Sequence, residues 1–293
     1  MTATEQLLAR AESLLARLEQ YLPPPRAQAI DDAIAWRWRK RQQQGWLDPI
    51  RRFNAIRLED LQHIEEPRAA LEQNTRQFLA GLPANNALLW GPRGTGKSSL
   101  VKALLNAYAD RGLRLIEVER QDLVDLPEIV DLIADRPGKY VVFCDDLSFD
   151  EHDQTYRALK TILDGSVLST PDNILIYATS NRRHLVLERL RDNQDAHWDE
   201  HGEVHQSEAV EEKISLSERF GLWLSFHQFN QERYLDIVRH WLRALEVPNP
   251  DSPDARHAAL QWALLHGSRS GRAASQFARD WAGRQALQTV SQP

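Results

Sequence analysis

The 293-residue chain has one cysteine, Cys144, so it can form no disulfide within itself and no zinc cage built on cysteines. Long apolar runs are missing too: no stretch approaches the 18 or more residues that a membrane-spanning helix needs. The first twenty residues carry charges throughout, unlike a secretory leader, so the expected setting is a soluble protein of the cytoplasm with no membrane partner. With 13 glycines and 14 prolines against 42% hydrophobic residues, collagen-like, disordered and low-complexity readings fail. Excess positive charge is also absent: 36 Lys and Arg face 42 Asp and Glu, a net charge of −6. That excludes a surface that coats nucleic acid along its whole extent.

The charge is unevenly spread. Residues 194–212 hold seven acids and no Lys or Arg, marking an acidic insertion over 191–212. Residues 36–57 carry seven basic residues against Asp48 alone, interleaved with Trp36, Trp38, Trp46 and Phe53. That interleaving fits a helix that buries its tryptophans, a stacking surface for single-stranded nucleic acid, or a contact for an acidic protein. His197, His201 and His205 stand four apart, a spacing that presents a metal-binding face on a helix and is otherwise a solvated loop.

Hydrophobic periodicity predicts an amphipathic helix over 4–22, stopped by Pro23-Pro24-Pro25, a second over 28–44 ending at Gly45, and a third over 67–79. The rhythm then changes. Short apolar runs at Ala87–Trp90, Leu113–Val118, Tyr140–Cys144, Ile174–Ala178 and Leu222–Phe226 read as buried strands, and helical patterns at 97–109, 121–134 and 154–163 separate the first four. Strands and helices in alternation predict a parallel sheet with helices on both faces. Beyond Phe226 the pattern is helical only, at 231–245, 254–266 and 272–287. The expected organisation is a helical N-terminal segment (1–60), an α/β core (61–226) and a helical C-terminal domain (227–293).

Gly91-Pro92-Arg93-Gly94-Thr95-Gly96-Lys97-Ser98 fits the phosphate-loop pattern G-x-x-x-x-G-K-[ST], and it lies where the mechanism requires, between a strand and a helix. Backbone N–H groups from Gly91 through Ser99 would cradle a β-phosphate at the helix N-terminus. Lys97 would reach the β- and γ-phosphates, and the Ser98 hydroxyl would ligate Mg²⁺. The apolar run Val141–Cys144 ends in Asp145 and Asp146, 48 residues beyond Lys97, which puts two carboxylates at the carboxyl edge of the sheet. Asp145 suits the Mg²⁺ shell and Asp146 suits polarising a water. Cys144, last in its apolar run, reads as an inert core residue. No N/T-K-x-D motif for guanine occurs.

With both motifs in place, the chain resembles an AAA+ ATPase over about residues 61–290. The resemblance implies a three-layer P-loop NTPase core followed by a small all-helical lid. Thr179-Ser180-Asn181 looks like the sensor 1 strand, with Asn181 at the matching position. Leu216-Ser217-Glu218-Arg219-Phe220-Gly221 looks like the box that carries an arginine finger, with Arg219 acting on a neighbouring subunit's nucleotide. Arg272, with Arg269 as a competitor, looks like the sensor 2 arginine. The stretches NTRQFLAG, FCDDLSFD, YATSNRRHL and AVEEKISLSERFGLWLSF are similar to the narrower DUF815 family of predicted ATPases. The second acid is Asp146 where many AAA+ members carry Glu, and a shorter carboxylate implies slow turnover.

The function the resemblance implies is Mg²⁺-dependent ATP binding and hydrolysis at subunit interfaces of a homo-oligomeric ring or partial ring, coupled to remodelling of a protein client. Two alternatives stand beside it: a helicase-loader-like ATPase linked to nucleic acid, and a nucleotide-dependent switch with little turnover.

Overall fold

The computed structural model describes residues 10, 12–14, 33–41, 44–53, 55–149, 154–163, 171–182, 197–198, 204–205 and 218–290. Of the helix expected over 4–22, only residues 10 and 12–14 fall in this set, and they are helical. Most of the acidic insertion lies outside it.

The centre is a seven-stranded sheet. In chain order its strands are β1 (Ala35–Arg41), β2 (Gln44–Pro49), β3 (Ala87–Trp90), β4 (Leu113–Val118), β5 (Lys139–Cys144), β6 (Ile174–Ser180) and β9 (Leu222–Ser225). Their order across the sheet is β2-β1-β4-β5-β6-β3-β9. All neighbours pair in parallel except the β1–β2 hairpin. A separate two-stranded ribbon pairs β7 (His197–Trp198) with β8 (Val204–His205), so His197 and His205 stand in strands and not on a helix, while His201 lies outside the described residues.

The strands are nearly continuous apolar runs because both faces are covered. Leu89, Val141, Phe143 and Tyr177 pack on one side with helices α1 (Glu65–Leu79) and α2 (Lys97–Tyr108). Leu88, Val142, Cys144 and Ile176 pack on the other with α3 (Leu126–Ile133) and α4 (Gln154–Leu163). Three helices follow β9: α5 (Gln231–Ala244), α6 (Pro253–Leu265) and α7 (Gly271–Val290). Asn230, Ser252 and Ser270 cap their N-termini by accepting from the N–H groups of Arg233, Ala255 and Ala273. Tyr234 ties α5 to α6 by donating to the Ala259 carbonyl at 3.1 Å.

One expectation is overturned. Residues 35–49 form strands where a helix over 28–44 was predicted, and the boundary at 60 cuts through the sheet. The physical reason is the period. Trp36-Arg37-Trp38-Arg39 alternates every second residue, which a strand resolves into a buried and a polar face but a helix does not. Trp36 and Trp38 are each 1% exposed. Three cations of β1 meet acids: Arg37 reaches Glu117 at 2.6 Å and Arg39 reaches Glu119 at 3.5 Å, while Lys40, on the tryptophan face, reaches Asp125 at 2.5 Å. Asp125 also accepts from the Trp38 indole N–H at 3.1 Å. These three positions of the basic stretch are therefore spent on internal pairs.

Gly45 lets this hairpin close, because a Cβ there would stand 1.9 Å from Trp38 Cζ2. Gly45→Ala should therefore expel or distort Trp38 and cost about 1–3 kcal/mol. The check is the thermal midpoint, expected to fall by several degrees, with loss of the buried-tryptophan fluorescence signature; an unchanged midpoint would contradict the packing.

Candidate nucleotide-binding site

The parallel register brings three strand ends to one edge: β3 runs into the phosphate loop, β5 into Asp145 and Asp146, and β6 into Asn181. The loop turns away from β3 at Gly91, whose φ is +137° and where a Cβ would stand 2.1 Å from the Phe226 carbonyl oxygen. Gly94 (φ +75°) is equally constrained, since a Cβ there would lie 2.7 Å from Ser270 Cβ. Thr95 steadies the turn by donating to the Pro92 carbonyl at 2.9 Å. Helix α2 then starts after Gly96 with no side-chain cap, so its first N–H groups have no partner within the helix and favour an anion.

Lys97 is 6% exposed, and its ammonium donates to the carbonyls of Gly91 (2.6 Å) and Pro92 (2.8 Å) and to Asn181 Oδ1 (3.2 Å). Burial pushes its pKa down to about 8; Asp145 and Asp146 oppose that shift, while Arg93 and Arg272 add to it. The Ser98 hydroxyl donates to Asp145 Oδ1 at 2.6 Å. Asn181 Nδ2 donates to Asp146 Oδ1, and Arg93 Nη2 stands 3.3 Å from Asp146 Oδ2. One asparagine thus bridges the buried ammonium and the second acid. The Cys144 thiol beneath them is fully buried and pushed up to about 12 by that burial, which removes it from nucleophilic chemistry.

These groups line a cleft of about 770 Å³ whose other walls come from the segment 55–64 and from the C-terminal helices. Leu61, Ile64, Ile237 and Trp241 form an apolar wall, with Ile64 and Leu61 beside Gly96 of the phosphate loop, and Arg272 and Arg279 of α7 line the cleft as well. Arg269 lies outside the cleft. The wall is stapled across: His63 Nε2 is 3.0 Å from Asp236 Oδ2, and His240 Nε2 is 3.2 Å from Asp60 Oδ1. The Gly271 N–H donates to the Gly94 carbonyl at 2.9 Å, so α7 begins directly against the phosphate loop.

Of the residues singled out from sequence, Arg93 to Ser99, Asp145, Asp146, Asn181 and Arg272 gather at the cleft, and Gly91 and Pro92 sit behind it as acceptors for Lys97. Arg219 does not. It precedes β9, whose register aligns Leu222 with Ala87 and Ser225 with Trp90. About 13 Å of strand therefore separates its end of the sheet from the phosphate loop. Sequence reasoning missed Thr179, Arg279 and the apolar wall. The wall residues come from two segments without a shared motif, and only folding makes them neighbours.

The donor set fits a nucleotide with a hard divalent cation: oxygen ligands at Ser98 and Asp145, a cationic rim, and a loop that side chains at Gly91 and Gly94 would obstruct. Folding lowers the Lys97 pKa from 10.5 to about 8, so between those values the unfolded chain binds more protons and stability rises with pH. Urea unfolding at a series of pH values should show wild type gaining on Lys97→Met through that window and running parallel to it below about pH 7. A constant difference throughout would mean that the ammonium is not buried.

Comparisons with known proteins agree with this geometry. The family profile described as "Protein of unknown function (DUF815)" matches residues 31–285. The chaperone protein ClpB of Mesorhizobium japonicum is 25% identical over 230 residues, which is 68% of this chain but only 26% of that protein. Among solved structures, Aeropyrum pernix ORC1 in complex with DNA superposes with a TM-score of 0.53 at 17% identity, covering 77% of this chain and 61% of that one. A variant of Thermotoga maritima RuvB gives 0.51 at 13% identity, covering 80% and 66%. At such identities the two structures speak for the fold alone. The chain belongs to the DUF815 family, and its fold is that of the AAA+ P-loop NTPases.

Proposed function

We propose that the chain binds ATP in this cleft and hydrolyses it at an interface between copies of itself. The observation that carries the reading is the single constellation of phosphate loop, Asp145–Asp146 and Asn181, held together by Lys97 and its partners. The triphosphate would lie along the loop against Lys97, and the adenine against the wall of Leu61, Ile64, Ile237 and Trp241. Ser98 and Asp145 would hold Mg²⁺, which when bound neutralises charge on the phosphate oxygens. Asp146 would orient the attacking water, and Asn181 and Lys97 would fix that carboxylate relative to the γ-phosphate. In the present arrangement both Asp146 oxygens are engaged, one by Asn181 and one by Arg93. Each oxygen keeps a further lone pair with which to accept from a water.

Arg219 supports the interface half of the reading. At the far end of β9 it is out of range of its own cleft, so a role for it at a nucleotide requires the cleft of a neighbouring copy. The contact between Gly271 and Gly94 supports a mechanical output, since occupancy of the loop bears directly on the helical lid. Remodelling of a protein client follows from that coupling more readily than a nucleic-acid task, because Arg37, Arg39 and Lys40 are paired internally.

The test is ATP turnover across protein concentration. Specific activity should rise with concentration as copies assemble, and a flat profile would sink the interface mechanism. Arg219→Ala should lose about 10³-fold or more in turnover while retaining ATP affinity within a few-fold. Mixing Arg219→Ala with Asp146→Asn should restore part of the activity, because each variant supplies what its neighbour lacks. Loss of ATP binding in Arg219→Ala would instead make that residue structural.

A further inference from the structure

Thr179 is 1% exposed and occupies the next-to-last position of β6. The β5–β6 ladder ends one residue earlier, at Cys144–Ala178. Beyond that point Ser180 donates from its hydroxyl to the Leu147 carbonyl at 2.8 Å, and Thr179 supplies the contacts to the two acids. Its hydroxyl donates to Asp145 Oδ1 at 2.5 Å and accepts from the Asp146 N–H at 2.9 Å. Its carbonyl accepts from the Leu147 N–H at 2.7 Å. A threonine hydroxyl has one proton to give and lone pairs to accept with, and here each is used on a different acid.

Both acids need this support. Asp145 Oδ1 is held between two hydroxyls, those of Ser98 and Thr179. Asp146 sits at φ +55°, the left-handed region, which costs an L-residue about 1 kcal/mol or more. The N–H that this conformation turns inward would be left unsatisfied without the Thr179 oxygen. The side chain of Asp146 leaves the sheet edge toward Asn181 and Arg93 because its backbone is pinned in this way.

We propose that Thr179 is a positioning residue that presets both carboxylates through one buried hydroxyl: Asp145 toward the cation of a nucleotide complex and Asp146 toward its water. The proposal rests on the nucleotide reading above. It separates two tasks that a single deletion would damage together, cation coupling at Asp145 and water orientation at Asp146.

The test is a fluorescent ATP analogue titrated into the full chain with excess Mg²⁺ and again with EDTA. The ratio of the two affinities measures how strongly the cation is coupled to binding. Thr179→Val should leave the EDTA affinity within about twofold, reduce the Mg²⁺-dependent tightening at least about fivefold, and lower kcat more than it changes KM. Thr179→Ser should restore the tightening to within about twofold of wild type. Thr179→Ala, which adds no bulk, provides the same comparison if the valine variant does not fold. In a double-mutant cycle with Asp145→Asn the losses in tightening should overlap, since both changes remove one coupling; fully additive losses would assign Thr179 a merely structural role. Wild-type tightening in the valine and alanine variants would overturn the proposal alone. Absence of any nucleotide binding by the wild-type chain would overturn the reading beneath it as well.

Discussion

The site depends on parallel pairing of β3, β6 and β5. Parallel strands send all their carboxyl ends to one edge, so three segments distant in sequence leave the sheet side by side. Each leaves with a different group: a glycine-rich turn, a pair of acids, and an amide. No local preference of those segments would bring Lys97, Asp146 and Asn181 within hydrogen-bonding range. Leu88, Leu89, Val142, Phe143 and Ile176 are buried on the two faces, and the register that aligns Trp90 with Ser180 and Cys144 with Ala178 sets the three exits side by side.

A buried ammonium at the centre of that edge carries a cost, and the structure shows how it is offset. Two loop carbonyls and one amide oxygen accept from Lys97, while two carboxylates stand nearby. The carbonyls belong to the loop that Lys97 itself closes, so the charge also braces the turn. Arg93 and Arg272 push in the opposite sense. The cleft is thus a balance of like and unlike charges that an added polyanion would tip toward the protonated lysine.

Much of this was legible from residues alone. The glycine pattern, the acids after an apolar run and the alternation of short runs with helices are local signals with local causes, and they point to the phosphate loop, Asp145 and Asp146, whereas Asn181 comes only from the resemblance to the sensor 1 strand. The hairpin at 35–49 is misread when the two-residue alternation of Trp36 to Arg39 is absorbed into a longer helical window reaching back to residue 28. Its basic surplus also hid its partners, since Glu117, Glu119 and Asp125 lie about eighty residues away in sequence. Thr179 escaped notice for a related reason. A threonine in a buried strand is ordinary, and only its distances to two acids on the neighbouring strand distinguish it.

The contact between Gly271 and Gly94 has a geometric consequence. Helix α7 runs for 20 residues from that point, a rod of about 30 Å. With its head resting on the phosphate loop, a tilt of about 10° would sweep its far end through about 5 Å. Length alone sets how far a given tilt would carry the far end.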